Sequence, residues 1–289
     1  MNGVINVYKP VGITSFDAVR KVMKVCNTKK VGHTGTLDPL ASGVLPICVG
    51  KATKIVDFIM SDIKVYKAKL RLGVETETYD REGKVLIEKE VDVSHESIKL
   101  AFQSFIGEID QEPPMYSALK VNGKRLYELA RQGKVIERNK RKITIYNLQI
   151  SKISLPYVDF TVTCSKGTYI RSLCYDIGKK LGTGGSMWDL ERLQTGIFSA
   201  ENSIHLDELG SCNILEYLIP IDEALRNYDK LIIDNKYEKL LLNGVKLSNQ
   251  YVLSKIQADK LYRVYTSMDK FIGLGLKDDE GFKITKLLV

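Results

Sequence analysis

Between Val31 and Lys54 the chain reads VGHTGTLDPLASGVLPICVGKATK. Four glycines in this stretch (Gly32, Gly35, Gly43, Gly50) exclude a long helix. The fold must therefore be organised around an irregular, glycine-rich loop. The loop holds one acid, Asp38, the sole carboxylate from Ala18 to Val56 against seven basic residues (Arg20, Lys21, Lys24, Lys29, Lys30, Lys51, Lys54). A surface built only to hold an anion gains nothing from that charge. Two readings of Asp38 stand side by side. In one it caps a short helix whose first position is Pro39, where a missing N–H costs nothing. In the other the carboxylate is there for chemistry.

With 289 residues the chain has room for one large domain and a small one. A hydrophobic share of 44% and a charged share of 27% are those of a globular protein. No apolar run approaches the ~20 residues that cross a bilayer. MNGVINVYKP lacks the pattern of a signal peptide, so a cytoplasmic location is expected. The five cysteines (Cys26, Cys48, Cys164, Cys174, Cys212) form no CxxC pair, which argues against a disulfide framework or a zinc site. Net charge is +8 and unevenly spread. Residues 1–60 carry eight Lys and Arg against three acids, and residues 120–142 carry nine against two. Such clustering points to nucleic acid.

Gly3 to Val7 reads as a strand. Thr14 opens a helix with Asp17 at capping-box spacing and an apolar stripe of Phe16, Val19, Val22 and Met23. Val65 to Gly73 alternates cleanly, with Tyr66, Ala68, Leu70 and Leu72 on one face and Lys67, Lys69 and Arg71 on the other. Val74 to Gly83 reads as an acidic loop. Ser94 to Phe105 is helical, with Ile98, Ala101, Phe102 and Phe105 inward. Pro113-Pro114 stiffens the entry to a basic excursion over residues 111–142. That excursion contains a short helix around Leu126, Leu129 and Ala130, closed by Gly133, and then the run Arg138 to Lys142, read as an arm lying along phosphates. Thr144 to Ile150 and Tyr157 to Cys164 are strands. Thr168 to Leu181 is a helix with stripe Ile170, Leu173, Cys174, Ile177 and Leu181, stopped by Gly182. Trp188 to Thr195 and Ile214 to Leu225 read as partly helical. A boundary at Asn227 to Lys230 separates a domain of residues 1–229 from a small β-rich domain of residues 230–289.

Several motifs fail. Gly43 to Ala52 resembles a phosphate loop, but its spacer is too long and Ala52 replaces the magnesium-binding hydroxyl. No Gly-x-Ser-x-Gly elbow and no HExxH helix occurs. Arg171 is more informative. It falls in the first turn of its helix, where a cation opposes the helix dipole, and it flanks the apolar stripe. A carboxylate opposite would justify it, and Asp38 is a plausible partner; an exposed, unpaired arginine is the other reading. Tyr66 and Tyr169 finish a core or border a cleft. His33 is a loop histidine or an RNA contact.

Five blocks together are recognisable: GHTGTLDPLASGVLPICVGKATK (32–54), KVYKAKLRLGVETETYDREG (64–83), PPMYSALKVNGKRLYELARQG (113–133), CSKGTYIRSLCYDIG (164–178) and LERLQTG (190–196). The chain resembles the TruB family of bacterial tRNA pseudouridine-55 synthases over its whole length. The resemblance implies a mixed α/β (α+β) pseudouridine-synthase fold around an antiparallel sheet, with a small PUA-like C-terminal domain. It implies isomerisation of the T-loop uridine at tRNA position 55 by base flipping, with no cofactor and no metal, by a monomer that binds the T-loop and stem.

Under that resemblance Asp38 matches the catalytic aspartate and Arg171 the arginine paired with it. Tyr66 matches the tyrosine that packs on the target base and is a candidate for the later proton removal from C5. Tyr169 and Leu193 match residues lining the base pocket, and His33 matches a histidine that accommodates flipped-out bases. The PPMYSALK excursion matches an arm that folds over RNA. Two competing readings are an RNA-binding or tRNA-folding module that needs no catalysis, and a synthase directed by a guide RNA.

Overall fold

The computed structural model describes residues 1–60, 63–121, 123–134 and 136–289. The chain opens with strand β1 (Gly3–Lys9) and helix α1 (Ser15–Val25). The capping box forms as expected: the Thr14 side chain accepts from Asp17 N, and the Asp17 carboxylate accepts from Thr14 N at 2.9 Å. The inward face is different. Phe16 is 58% exposed, whereas Ser15, Ala18, Val19 and Val22 are buried. Helix α1 rolls so that the Ser15 hydroxyl reaches the backbone of Leu37, donating to its O and accepting from its N, both at 2.8 Å.

The glycine-rich stretch is not loop throughout. It forms a short strand β2 (Val31–His33), a loop over residues 34–41, and strand β3 (Ser42–Val49), which is buried almost along its whole length. A 3-10 turn (Gly50–Ile55) and helix α2 (Val56–Met60) follow. Strand β4 (Lys64–Leu72) shows the expected alternation, with Tyr66, Ala68, Leu70 and Leu72 buried. The acidic segment after it is a hairpin, β5 (Val74–Thr76) with β6 (Val85–Glu88), and not a plain loop.

Helix α3 (His95–Gln103) is capped by Ser94 and leads to β7 (Gly107–Gln111). The excursion beyond Pro113-Pro114 contains a small hairpin, β8 (Lys120–Val121) with β9 (Lys124–Arg125), and then α4 (Leu126–Arg131), with Gly133 in the left-handed region. Long strand β10 (Arg141–Ser154) pairs with β11 (Tyr157–Cys164). Helix α5 (Ile170–Leu181) ends at Gly182, whose φ of 74° suits glycine and lets its N–H reach back to Gly178 O and Lys179 O.

The segment expected to be partly helical around Trp188 is instead strand β12 (Gly185–Thr195), and it lies inside the main sheet, between β3 and β4. Its Leu, Glu, Arg and Gln favour helix by only a fraction of a kcal/mol each. Ladders to β4 along its length and to β3 near its end outweigh that preference. Irregularities at Trp188 and Leu193 break the period-two pattern that would have announced a strand. Residues 214–225 are mixed: a 3-10 turn (Ile214–Tyr217), a short strand (Leu218–Ile219) and one helical turn (Ile221–Ala224).

The main sheet has the order β1-β3-β12-β4-β11-β10-β7, with Ile204–His205 outside β1. It is mostly antiparallel; β3 with β12 and β1 with Ile204–His205 are short parallel contacts. One face carries Leu70, Phe160 and Val162 against α3 and α5. Helix α1 covers the sheet's other end, over Ile5, Val7, Leu45 and Ile47. From Asp229 a four-stranded sheet forms (Asp229–Ile233, Leu261–Thr266, Phe271–Asp278, Gly281–Leu287), with its own core around Val264, Ile272 and Phe282. Leu274 and Leu288 of this β-rich part join Val4, Val44 and Cys48 in a shared apolar cluster.

Candidate active site

Asp38 sits in the 34–41 loop. The short helix that one of the two readings placed at Pro39 is absent: the backbone makes a turn closed by Ala41 N donating to Asp38 O at 3.0 Å. The loop is pinned at several points. Gly12 N donates to Pro39 O at 2.8 Å, Ser15 holds Leu37, and Thr34 N donates to Pro46 O at 3.0 Å. A loop held this way presents its acid in one geometry, so no ordering is left for the moment of reaction.

The acid meets Arg171. Arg171 Nε lies 2.9 Å from Asp38 Oδ2. The guanidinium is buried and has further partners: Nη1 donates to Thr78 O at 3.2 Å and lies 3.6 Å from Asp80 Oδ2, and Nη2 donates to Tyr116 O at 2.8 Å. Helix α5 thus aims one planar group at the Asp38 loop, the β5–β6 hairpin and the excursion after Pro114. The Asp38 side chain remains 32% exposed, open on one side to a reactant, while that of Asp80 is 6% exposed. Burial holds the Asp80 carboxyl above its usual range, opposed by the Thr78 hydroxyl and Arg171. Among the described residues no group of three His, Cys, Asp or Glu is arranged to hold a metal ion.

Tyr66 lies on β4 beside this pair and is 7% exposed. Burial pushes its phenol up, and the charge of Arg192 pulls it back. Its ring packs in one cluster with Leu37, Leu40 and Ala41 of the Asp38 loop. Tyr169 stands just before α5. Its backbone is gripped from both sides by Gln111, whose amide oxygen accepts from Tyr169 N at 2.8 Å and whose nitrogen donates to Tyr169 O at 3.1 Å. Leu193 is the extra residue of a β-bulge, between the pairs Arg192↔Tyr66 and Gln194↔Val65, which re-aims its side chain. His33 ends β2, and its Nδ1 accepts from Gly35 N at 3.2 Å. Burial and Arg192 hold its imidazole below the usual range, hence neutral at pH 7.

The sequence reading missed Asp80 and Arg192. Asp80 was hidden in a segment read as an acidic loop, and Arg192 in one read as helix. The basic run is partly committed within the fold: Arg138 pairs with Glu112 and donates to Pro113 O at 3.1 Å, and Lys142 pairs with Glu108 at 2.7 Å.

Residues 21–170 match the N-terminal domain of TruB family pseudouridylate synthases, and residues 171–228 match the tRNA pseudouridylate synthase B C-terminal domain. The chain belongs to the TruB family. Two proteins called tRNA pseudouridine synthase B are similar over the full length of both chains: one from Clostridium novyi (strain NT), 58% identical, and one from Clostridium tetani (strain Massachusetts / E88), 60% identical. A solved H/ACA ribonucleoprotein bound to a substrate RNA containing 2′-deoxyuridine contains a chain of similar structure. Its TM-score is 0.75 at 26% identity, over 99% of this chain and 85% of that one. The two family matches meet at Arg171, so the ion pair joins them.

Proposed function

We propose that this enzyme isomerises uridine to pseudouridine at position 55 in the T-loop of tRNA, acting alone, as a monomer in the cytoplasm, and without cofactor or metal. The observation that carries the reading is the 2.9 Å pair between Arg171 and a partly exposed Asp38. The reaction breaks the N1–C1′ bond of uridine, turns the uracil, and joins C5 to C1′; C5 loses a proton and N1 gains one. A stacked base cannot be reached, so the uridine must be turned out of the loop and held. In this reading Asp38 supplies the nucleophilic or charge-stabilising carboxylate, and Arg171 keeps it ionised and aimed. Tyr66 is the platform for the uracil ring. With its phenol pushed up by burial it is neutral at pH 7, so Tyr66 takes the C5 proton only when a further acceptor drains its own. Tyr169 and Leu193 close the pocket, and neutral His33 meets neighbouring bases.

Residues 1–229 form the catalytic domain, with residues 111–142 as an arm over the RNA, and residues 230–289 form a PUA-like domain that adds RNA contact. A guide-directed reading draws on the likeness to the H/ACA ribonucleoprotein chain. Full-length similarity to two proteins named for tRNA favours the stand-alone enzyme. The purified protein, incubated with an unmodified tRNA transcript, is expected to leave one new pseudouridine, at position 55, in base-resolved mapping. Modification only after a guide RNA is added, or binding without modification, would contradict the proposal.

A further inference from the structure

Arg192 is 1% exposed, yet its hydrogen bonds go to neutral carbonyls. Nε donates to Val44 O at 2.6 Å and Nη2 to Gly35 O at 3.2 Å. A place that only needed filling would be better served by an apolar side chain of similar volume, because burying a charge is costly. The choice of carbonyls suggests what the charge is for. Gly35 precedes Asp38 and Val44 follows it, so one guanidinium ties both ends of the loop that presents the acid. The same group lies within hydrogen-bonding reach of the Tyr66 phenol.

The backbone repeats the arrangement. Arg192 is the register partner of Gly43 on β3 and of Tyr66 on β4. At Gly43 the strands approach so closely that a Cβ would lie 2.2 Å from Arg192 O. One residue therefore fixes, through main chain and side chain together, the two elements that deliver Asp38 and Tyr66.

Resting on the isomerase reading above, we propose that Arg192 is a positioning residue: its guanidinium sets the spacing between the Asp38 carboxylate and the Tyr66 ring and orients the Tyr66 hydroxyl. A guanidinium donates and cannot accept, so in that contact the Tyr66 phenol oxygen is the acceptor.

The test is a double-mutant cycle on the full chain with Arg192→Lys, which keeps a charge but loses the planar fork, and Tyr66→Phe. Single-turnover rate, tRNA Kd and melting temperature are measured for each variant and for wild type. Arg192→Lys is expected to slow turnover by roughly 10–100-fold while tRNA Kd stays within about 3-fold. Adding Tyr66→Phe to Arg192→Lys is expected to cost less than Tyr66→Phe costs alone. A rate kept within about 3-fold of wild type, a Kd that rises in step with the lost rate, or losses that simply multiply would each overturn the proposal. Arg192→Gln is the second variant, and if neither it nor Arg192→Lys folds, Arg192 is a structural residue and the proposal fails. Wild type is run on the same tRNA. No product from wild type sinks the isomerase reading, whereas equal rates for wild type and Arg192→Lys sink the positioning role alone.

Discussion

Arg171 satisfies two carboxylates and two carbonyls with one planar group, a task for which the point charge of lysine is poorly shaped. The oddness of Asp38 and Arg171 is legible in sequence: a lone acid among bases, and a cation at the wrong end of a helix dipole. Asp80 and Arg192 carry no such mark, because the burial of a charge is a property of the fold. Asp176, a half-buried carboxylate on α5, gives a pH prediction. Burial pushes the Asp176 carboxyl from 3.8 up to about 6, with Lys179 opposing and Glu112 adding to the rise. Between those values the folded state binds more protons than the unfolded chain, so stability falls as pH climbs through that window. Asp176→Asn is therefore expected to melt higher than wild type above pH 6, by about 2–5 °C. Thermal melts in acid buffer should show the difference vanish below about pH 4; an unchanged difference there would contradict the assignment.

At the scale of elements, β4, α3, β11 and α5 follow from periodicity and caps, since each buries one regular stripe. Strand β12 does not, because its two bulges erase the alternation and its residues prefer helix. Strand β3 was hidden for another reason: its one glycine, Gly43, serves close packing against the Arg192 backbone of β12. Gly43→Ala tests that account. The new Cβ would meet the Arg192 backbone, and φ at Gly43 is +110°, a region unfavourable for alanine. A loss of roughly 2–4 kcal/mol is expected in denaturant unfolding, together with lost turnover, as β3 and β12 separate. A change below about 0.5 kcal/mol would show that this contact does not hold the site.

For the whole molecule, the chain turns polar around Asn227 to Lys230, and the four-stranded sheet begins at Asp229. Asp269-Lys270 lies between two paired strands and Glu280-Gly281 leads into the last strand, while Asn243-Gly244 follows a helix. The contact between the two parts was not legible, because it is made by apolar residues far apart in sequence. Leu274 and Leu288 are buried with Val4 and Val44. A chain ending at residue 229 would expose that seam, and each large apolar side chain uncovered costs about 1.5–3 kcal/mol. Such a truncation is expected to melt well below the full chain, and an unchanged melting temperature would show the parts to be energetically independent.

The proposed chemistry turns on one carboxylate, held by Arg171 and open on one side. Tritium release from a tRNA transcript labelled at uridine C5, measured for wild type and Asp38→Asn beside their tRNA Kd values, tests that claim most directly. The account predicts release by wild type, a loss of roughly 10⁴-fold or more in Asp38→Asn, and tRNA binding within about 3-fold of wild type. Full release by Asp38→Asn would contradict it.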